Sequence, residues 1–182
     1  MKAFVLLATG FEEMEAIGTI DILRRGGIET VTVSVTGDKT VTGVHDIPVI
    51  ADVLIENPEN EFSTCDALVL PGGGPGSVML RDHPGVRDAV MQVLKNRKLV
   101  AAICAAPRVL GTLGLLDSRK ATCYPGIEPE LYNASIVPEP VVIDDNIITA
   151  RGPGFVIDFG LAILKYLGAN DRQVAGDMLI ET

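Results

Sequence analysis

With 182 residues, 47% of them hydrophobic, the chain has the length of one compact domain with a single core, taken as residues 1–182. A formal net charge of −9 argues against a nucleic-acid partner, which needs a basic surface. Three cysteines in no framework spacing argue against a disulfide-stapled secreted scaffold, no stretch reaches the ~20 apolar residues that span a membrane, and the expected setting is cytoplasmic.

The apolar run Ala3–Ala8 predicts a buried first strand. It begins like a secretory leader, but Thr9-Gly10 and the acidic Phe11-Glu12-Glu13 end it too soon. Glu13–Arg25 carries Ala16, Ile17, Ile20 and Leu23 at helical spacing and stops at Gly26-Gly27. Thr30–Val35 reads as a second strand, and Val41–Ile50 as an antiparallel excursion broken by Gly43 and Pro48. Ala67–Leu70 is a third core strand running into Pro71-Gly-Gly-Gly-Pro-Gly76, and Gly85–Leu94 is a helix. Leu99-Val-Ala-Ala-Ile103 leads straight into Cys104, and a helical pattern runs from Ala105 to Gly114. Lys120–Cys123 and Val141–Ala150 supply further strands, Arg151-Gly-Pro-Gly154 precedes a helix over about Phe155–Leu167, and Asp171–Leu179 predicts a last short helix. Strands alternating with helices predict an α/β domain with a doubly wound, mainly parallel sheet sandwiched by helices. In such sheets sites lie beyond the carboxyl ends of the strands, near a switch in strand order. The Thr9–Glu15, Pro71–Gly76 and Cys104 segments each follow a strand and are expected to meet there.

Ala102, Ala105 and Ala106 crowd around Cys104, as a sharp strand-to-helix nucleophile elbow requires. A helix amino terminus behind the thiol favours an anion. The Cys104 pKa is therefore expected to fall from about 8.5 into the range of roughly 3.5–7.5. The competing reading is a small residue buried in a tight helix–sheet contact. Glu12, Glu13 and Glu15 open the first helix, where acids ordinarily complement the dipole in solvent. Two are expected to do so while the third is aimed at the sheet edge. A carboxyl group buried beside a thiolate stays protonated and serves as general acid or base.

The glycine run lacks the Lys-Ser/Thr of a phosphate loop, and Ser77 stands where a dinucleotide fingerprint wants its third glycine. The readings left are a backbone cradle for an oxyanion or a tight turn. His83, before Pro84, reads as a surface residue and His45 as a structural one. Residue 105 is alanine, so no local Cys-His arrangement is visible. Cys65 and Cys123 show no metal-ligand spacing with either histidine, so neither metal nor cofactor is expected. Cys123 reads as a strand-end residue, or as a resolving thiol for an oxidised Cys104.

Five segments in one order resemble the ThiJ/PfpI superfamily, and within it the Parkinson-associated DJ-one branch with its bacterial YajL-like relatives. They are Ala8–Glu15, Leu23–Ile28, Val69–Gly73, Ala101–Pro107 and Arg151–Gly154, and the resemblance covers essentially the whole chain. The resemblance implies a flavodoxin-like fold, Cys104 as the reactive nucleophile and Glu15 as the protonated glutamate bonded to it. Gly72, Gly73 and Ala105 are then backbone N–H donors to the pocket. Arg25 and His45 fall where members often bring basic residues near the pocket, in some cases across a homodimer interface; His45 replaces an arginine. Tyr124 stands where many relatives carry a histidine, which argues against PfpI-type peptidase or amidase chemistry. The implied activity is that of a cofactor-free, glutathione-independent glyoxalase or deglycase-type stress protein acting on a small aldehyde such as methylglyoxal or on a glycated substrate. The alternative is a redox-sensing protein or chaperone whose Cys104 is oxidised to the sulfinic state without turnover.

Overall fold

The computed structural model describes residues 1–57 and 62–180. Its first strand, β1 (Lys2–Leu7), is apolar on both faces, as a strand covered from two sides must be. Ala3, Val5 and Leu7 pack into one layer of core while Phe4 and Leu6 pack into the other. Helix α1 (Glu13–Arg25) follows, then β2 (Glu29–Ser34), the short hairpin β3 (Thr40–Thr42) and β4 (Pro48–Ile50), and the two-residue β5 (Val53–Leu54). Next come β6 (Ala67–Leu70), α2 (Gly74–Asp82), α3 (Pro84–Lys95), β7 (Leu99–Ile103) and α4 (Pro107–Thr112). The chain continues through β8 (Lys120–Ala121), β9 (Ser135–Ile136), β10 (Val141–Asp144), β11 (Ile147–Ala150), α5 (Val156–Leu167) and α6 (Asp171–Asp177).

Seven strands form one sheet in the order β10-β11-β7-β6-β1-β2-β5, parallel throughout except for the edge pair β10–β11. Residues of α1 and α5 (Ala16, Ile20, Leu23, Phe159, Ile163) cover one face. Residues of α2, α3 and α4 (Leu80, Val86, Val90, Val93, Leu110) cover the other. The chain leaves β1 toward β2 on one side and returns to β6 on the opposite side, so the switch point lies at the carboxyl ends of β1 and β6, with β7 next to them.

The doubly wound, mainly parallel sandwich is the architecture expected. Three local expectations are corrected. Helix α2 starts inside the glycine run, because Pro75 at its first turn is prearranged for a helix rather than a loop. The segment around Lys120–Cys123 contributes only β8, which pairs with β9 in a separate two-stranded ribbon outside the main sheet. The helix expected from Ala105 begins two residues later, at Pro107, and is only six residues long. Among the described residues, no helix is long and apolar enough to cross a membrane.

The loop after β6 is locked to the loop after β1: Glu12 N–H donates to Gly72 O (3.1 Å), and Gly76 N–H to Gly10 O (3.1 Å). Gly73 sits there at φ +89°, and a Cβ on it would collide with Gly10 O and lie 2.7 Å from Glu12 N. Left-handed backbone costs a side-chain-bearing residue about 1–3 kcal/mol before any clash is counted. Gly73→Ala is therefore expected to lower the melting temperature by roughly 4–8 °C in a thermal unfolding scan, as ~2 kcal/mol does for a chain of this size. An unchanged melting temperature would contradict this packing.

Candidate active site

Cys104 leaves β7 at φ +63°, a left-handed conformation that is uncommon for any residue but glycine. Two backbone hydrogen bonds hold it: its N–H donates to Ala150 O at the end of β11 (2.8 Å), and its carbonyl accepts Tyr124 N–H (2.8 Å). The surroundings thus overdetermine a strained residue, as happens where strain serves a site. The elbow holds the side chain at the sheet's carboxyl edge, 7% exposed.

Glu15 reaches the same point from the first turn of α1 and is fully buried. Its Oε2 accepts Gly72 N–H at 2.8 Å, and its carboxyl interacts directly with the Cys104 thiol. Oε1 is buried with no hydrogen-bond donor among the described residues, which leaves that oxygen free to accept a proton. Gly72 has to be a glycine, since a Cβ there would lie 2.6 Å from Glu15 Oε2 and 2.7 Å from Cys104 Cβ. Backbone N–H groups of Gly73 and Ala105 lie near enough to the Cys104 sulfur to favour its anion.

The electrostatics differ from the sequence expectation. Burial pushes Glu15 up to about 7, a shift moderated by Cys104 and the Gly72 N–H and reinforced by the charge of Glu12. Burial, then the charge and hydrogen bond of Glu15, push the Cys104 thiol up to about 12, with the Gly73 and Ala105 N–H groups working against the rise. The thiol pKa is raised rather than lowered, for two reasons. Desolvation opposes any buried anion, and the neighbouring Glu15 carboxylate repels one. The arrangement is that of a thiol beside a base: a proton passed to Glu15 removes the repelling charge and leaves a thiolate facing two N–H donors.

The neighbouring acids are not solvated, contrary to expectation. Glu12 is buried and caps α1, accepting Glu15 N–H at 2.7 Å. Buried Glu13 takes both His45 N–H (2.7 Å) and the His45 ring Nδ1 (2.8 Å). This pins the β3–β4 hairpin tip over the start of α1, and Gly43 leaves the room for the Glu13 carboxyl. The Glu13 carboxyl is held below its ordinary value because the His45 contacts outweigh burial, and that pairing raises the His45 ring above its own. His45 is therefore bound to Glu13 at the start of α1. His83 caps α3, its Nδ1 accepting Gly85 N–H at 3.1 Å.

The structure brings Cys104, Glu15, Gly72, Gly73 and Ala105 together. Gly72 has a corrected role, because its N–H is spent on Glu15 and not on an oxyanion. Arg25 does not join them: it lies ten residues along α1 from Glu15, or ~15 Å at 1.5 Å per residue, and its Nε pairs with Asp21 at 2.7 Å. Tyr124 touches the elbow through its backbone N–H, while its ring lies half exposed against Gly152. Glu12, Glu13 and His45 place ligand atoms within 4.8 Å of one another, but the cap and the Glu13–His45 pair already occupy them. Sequence reasoning missed the anchoring of Cys104 by Ala150 and Tyr124, a backbone contact that leaves no side-chain signal.

A buried thiol–carboxyl pair at the switch point of a parallel α/β sandwich defines a class of protein built around one cysteine. Residues 1–166 match the model of the DJ-1/PfpI family, and the chain belongs to that family. It is 37% identical over 175 residues to protein DJ-1 homolog B of Arabidopsis thaliana, covering 95% of this chain and 40% of that one. The chain thus spans less than half the length of this plant relative. A protein of Pyrococcus abyssi named a deglycase is 36% identical over 159 residues, covering 85% of this chain and 92% of its own. The crystal structure of Drosophila melanogaster DJ-1beta superposes with a TM-score of 0.94 at 36% identity, covering 100% of this chain and 98% of that one.

The raised Glu15 pKa makes a stability prediction. The folded state favours the neutral acid, so this group's stabilisation is complete below its ordinary value of 4.5 and is lost as pH rises to about 7. Glu15→Gln stays neutral throughout. It is expected to match the wild type near pH 4 and to exceed it above pH 7 by up to ~3 kcal/mol, read by denaturant unfolding at several pH values. A variant that is less stable at pH 8 than at pH 4 relative to wild type would contradict the assignment.

Proposed function

We propose that the protein is a cofactor-free enzyme acting on reactive carbonyl compounds, a glutathione-independent glyoxalase of deglycase type. The observation that carries this reading is the buried Glu15 carboxyl, with a pKa near neutral pH, against the thiol of Cys104. A base poised near the working pH is the most effective one, and such proton transfer contributes roughly 10²–10⁴-fold in rate. The DJ-1/PfpI membership and the relative named a deglycase support the same class of chemistry.

With methylglyoxal, Glu15 takes the thiol proton as the sulfur adds to the aldehyde carbon, and the resulting oxyanion faces the N–H groups of Gly73 and Ala105. Glu15 returns the proton to that oxygen, giving a hemithioacetal and becoming a carboxylate again. Glu15 then removes the hydrogen from this carbon and returns a proton to the adjacent one, while the hydroxyl proton passes from the first oxygen to the second. The first carbon is thereby oxidised and the second reduced, leaving a thioester on Cys104. Water cleaves the thioester to lactate and restores the thiol. The sum is methylglyoxal plus water to lactate, with no external oxidant.

Two accompanying features belong to this reading. Three free cysteines suit a reducing, cytoplasmic setting. Met14, Ile17 and Ile157 stand exposed on the adjacent helices α1 and α5, a surface suited to a second copy of the chain.

The test is lactate formation from methylglyoxal without glutathione. Wild-type protein is expected to produce lactate, and Cys104→Ser to fall to the uncatalysed rate. Absence of lactate with a confirmed reduced thiol, or full activity in Cys104→Ser, would overturn the proposal.

A further inference from the structure

Arg151 takes no part in this chemistry, yet it stands next to it. It follows Ala150, whose carbonyl receives the Cys104 N–H, and its own N–H donates to Pro140 O (3.1 Å). Arg151 lines a cleft of about 300 Å³ together with Tyr124, Pro125, Gly152, Pro153 and Phe155. Tyr124 is also the residue whose N–H holds the Cys104 carbonyl, so the cleft opens beside the elbow. Among the described residues no other charged one lines it.

The guanidinium lacks the partner that such a group normally has. Arg24, Arg25, Arg81, Arg87, Arg108 and Arg119 each pair with a carboxylate. Arg97, Arg151 and Arg172 form no ion pair with a described residue, and of these three only Arg151 is partly withdrawn from solvent. Arg151 also lines a second cleft with Cys123 and Glu128, where its charge acts on the Cys123 thiol, while the Glu128 carboxylate accepts Gly126 N–H at 2.7 Å. A partly covered arginine without an ion pair among the described residues has a guanidinium available to an incoming anion. Its planar fork of N–H donors matches a carboxylate in particular. In a chain of net charge −9, an unpaired cation in a mostly apolar cleft is a local exception that selects for acidic ligands.

We infer that this cleft is a carboxylate subsite, in which Arg151 takes the carboxylate of a small organic acid and the Tyr124–Phe155 walls take its carbon chain. The subsite stands on its own geometry. Joined to the function proposed above, and resting on that reading, it names a substrate class: aldehydes whose tail carries a carboxylate.

The experiment is an NMR titration of amide-labelled protein with succinate, and with neutral succinamide as the matched control. Saturable shifts at Tyr124, Gly152 and Phe155 are expected with succinate and not with succinamide. Arg151→Gln is expected to weaken succinate binding by about tenfold or more, as loss of a charged hydrogen-bond pair does, and Arg151→Lys to retain part of it, each with the remaining spectrum unchanged. Cys104→Ser should bind succinate as wild type does, so failure of the subsite and failure of the Cys104 chemistry are read separately. Succinate shifts that are absent, that succinamide reproduces, or that persist undiminished in Arg151→Gln would overturn the inference.

Discussion

Two acids, the Glu15 carboxyl and the Cys104 thiol, are buried against each other, and the space they share tolerates one negative charge far better than two. Burial raises both pKa values, and the Glu15 charge raises that of the thiol further, while the thiol's hydrogen bond eases the carboxylate. The backbone decides where the single charge is comfortable: the Gly72 N–H faces the carboxylate, and the Gly73 and Ala105 N–H groups face the sulfur. The charge thus has a prepared seat at either end, and moving the proton between the two moves the charge without separating it from a donor.

That pairing depends on the sheet order. Glu15 comes from the loop and helix after β1, Gly72 and Gly73 from the loop after β6, and Cys104 from the end of β7; these strands are neighbours at the place where the winding changes direction. The loops are tied by Glu12 N–H to Gly72 O and by Gly76 N–H to Gly10 O. Glu12 and Glu13 hold the start of α1 in place, one as its cap and one through His45. The result is a site whose geometry is set by backbone bonds, with only two reactive side chains to place. Electrostatic preorganisation of this kind costs no rearrangement when charge develops.

Much of this was legible in the residues, and what was not has physical causes. The alternation of apolar runs with helical periodicity gave away the sandwich, because a strand buried on both faces is apolar throughout, as β1, β6 and β7 are. The small residues around Cys104 revealed the elbow. The choice of Glu15 over Glu12 and Glu13 came only from the family resemblance, since three acids in one helical turn look alike until the fold aims them. The direction of the thiol shift was misread, because a helical pattern in sequence does not show that Pro107 delays α4 or how deeply the thiol is buried. Within one chain α1 carries Arg25 away from the pocket to Asp21, and the placement across a dimer interface that the resemblance also implies involves a second copy. Helix α2 was hidden because Gly74-Pro75-Gly76 carries the composition of a loop while serving as a helix start.

The central claim is that Cys104 is activated by proton transfer to Glu15 rather than by a helix dipole. The most direct measurement is the rate of Cys104 alkylation by iodoacetamide from pH 5 to 10, with the modified residue identified by mass. The pair predicts a rate that rises through an inflection at about 7, where Glu15 becomes able to accept the proton, and then levels off. A rate that stays flat through neutrality and climbs only above about 8.5, as an ordinary thiol does, would contradict it.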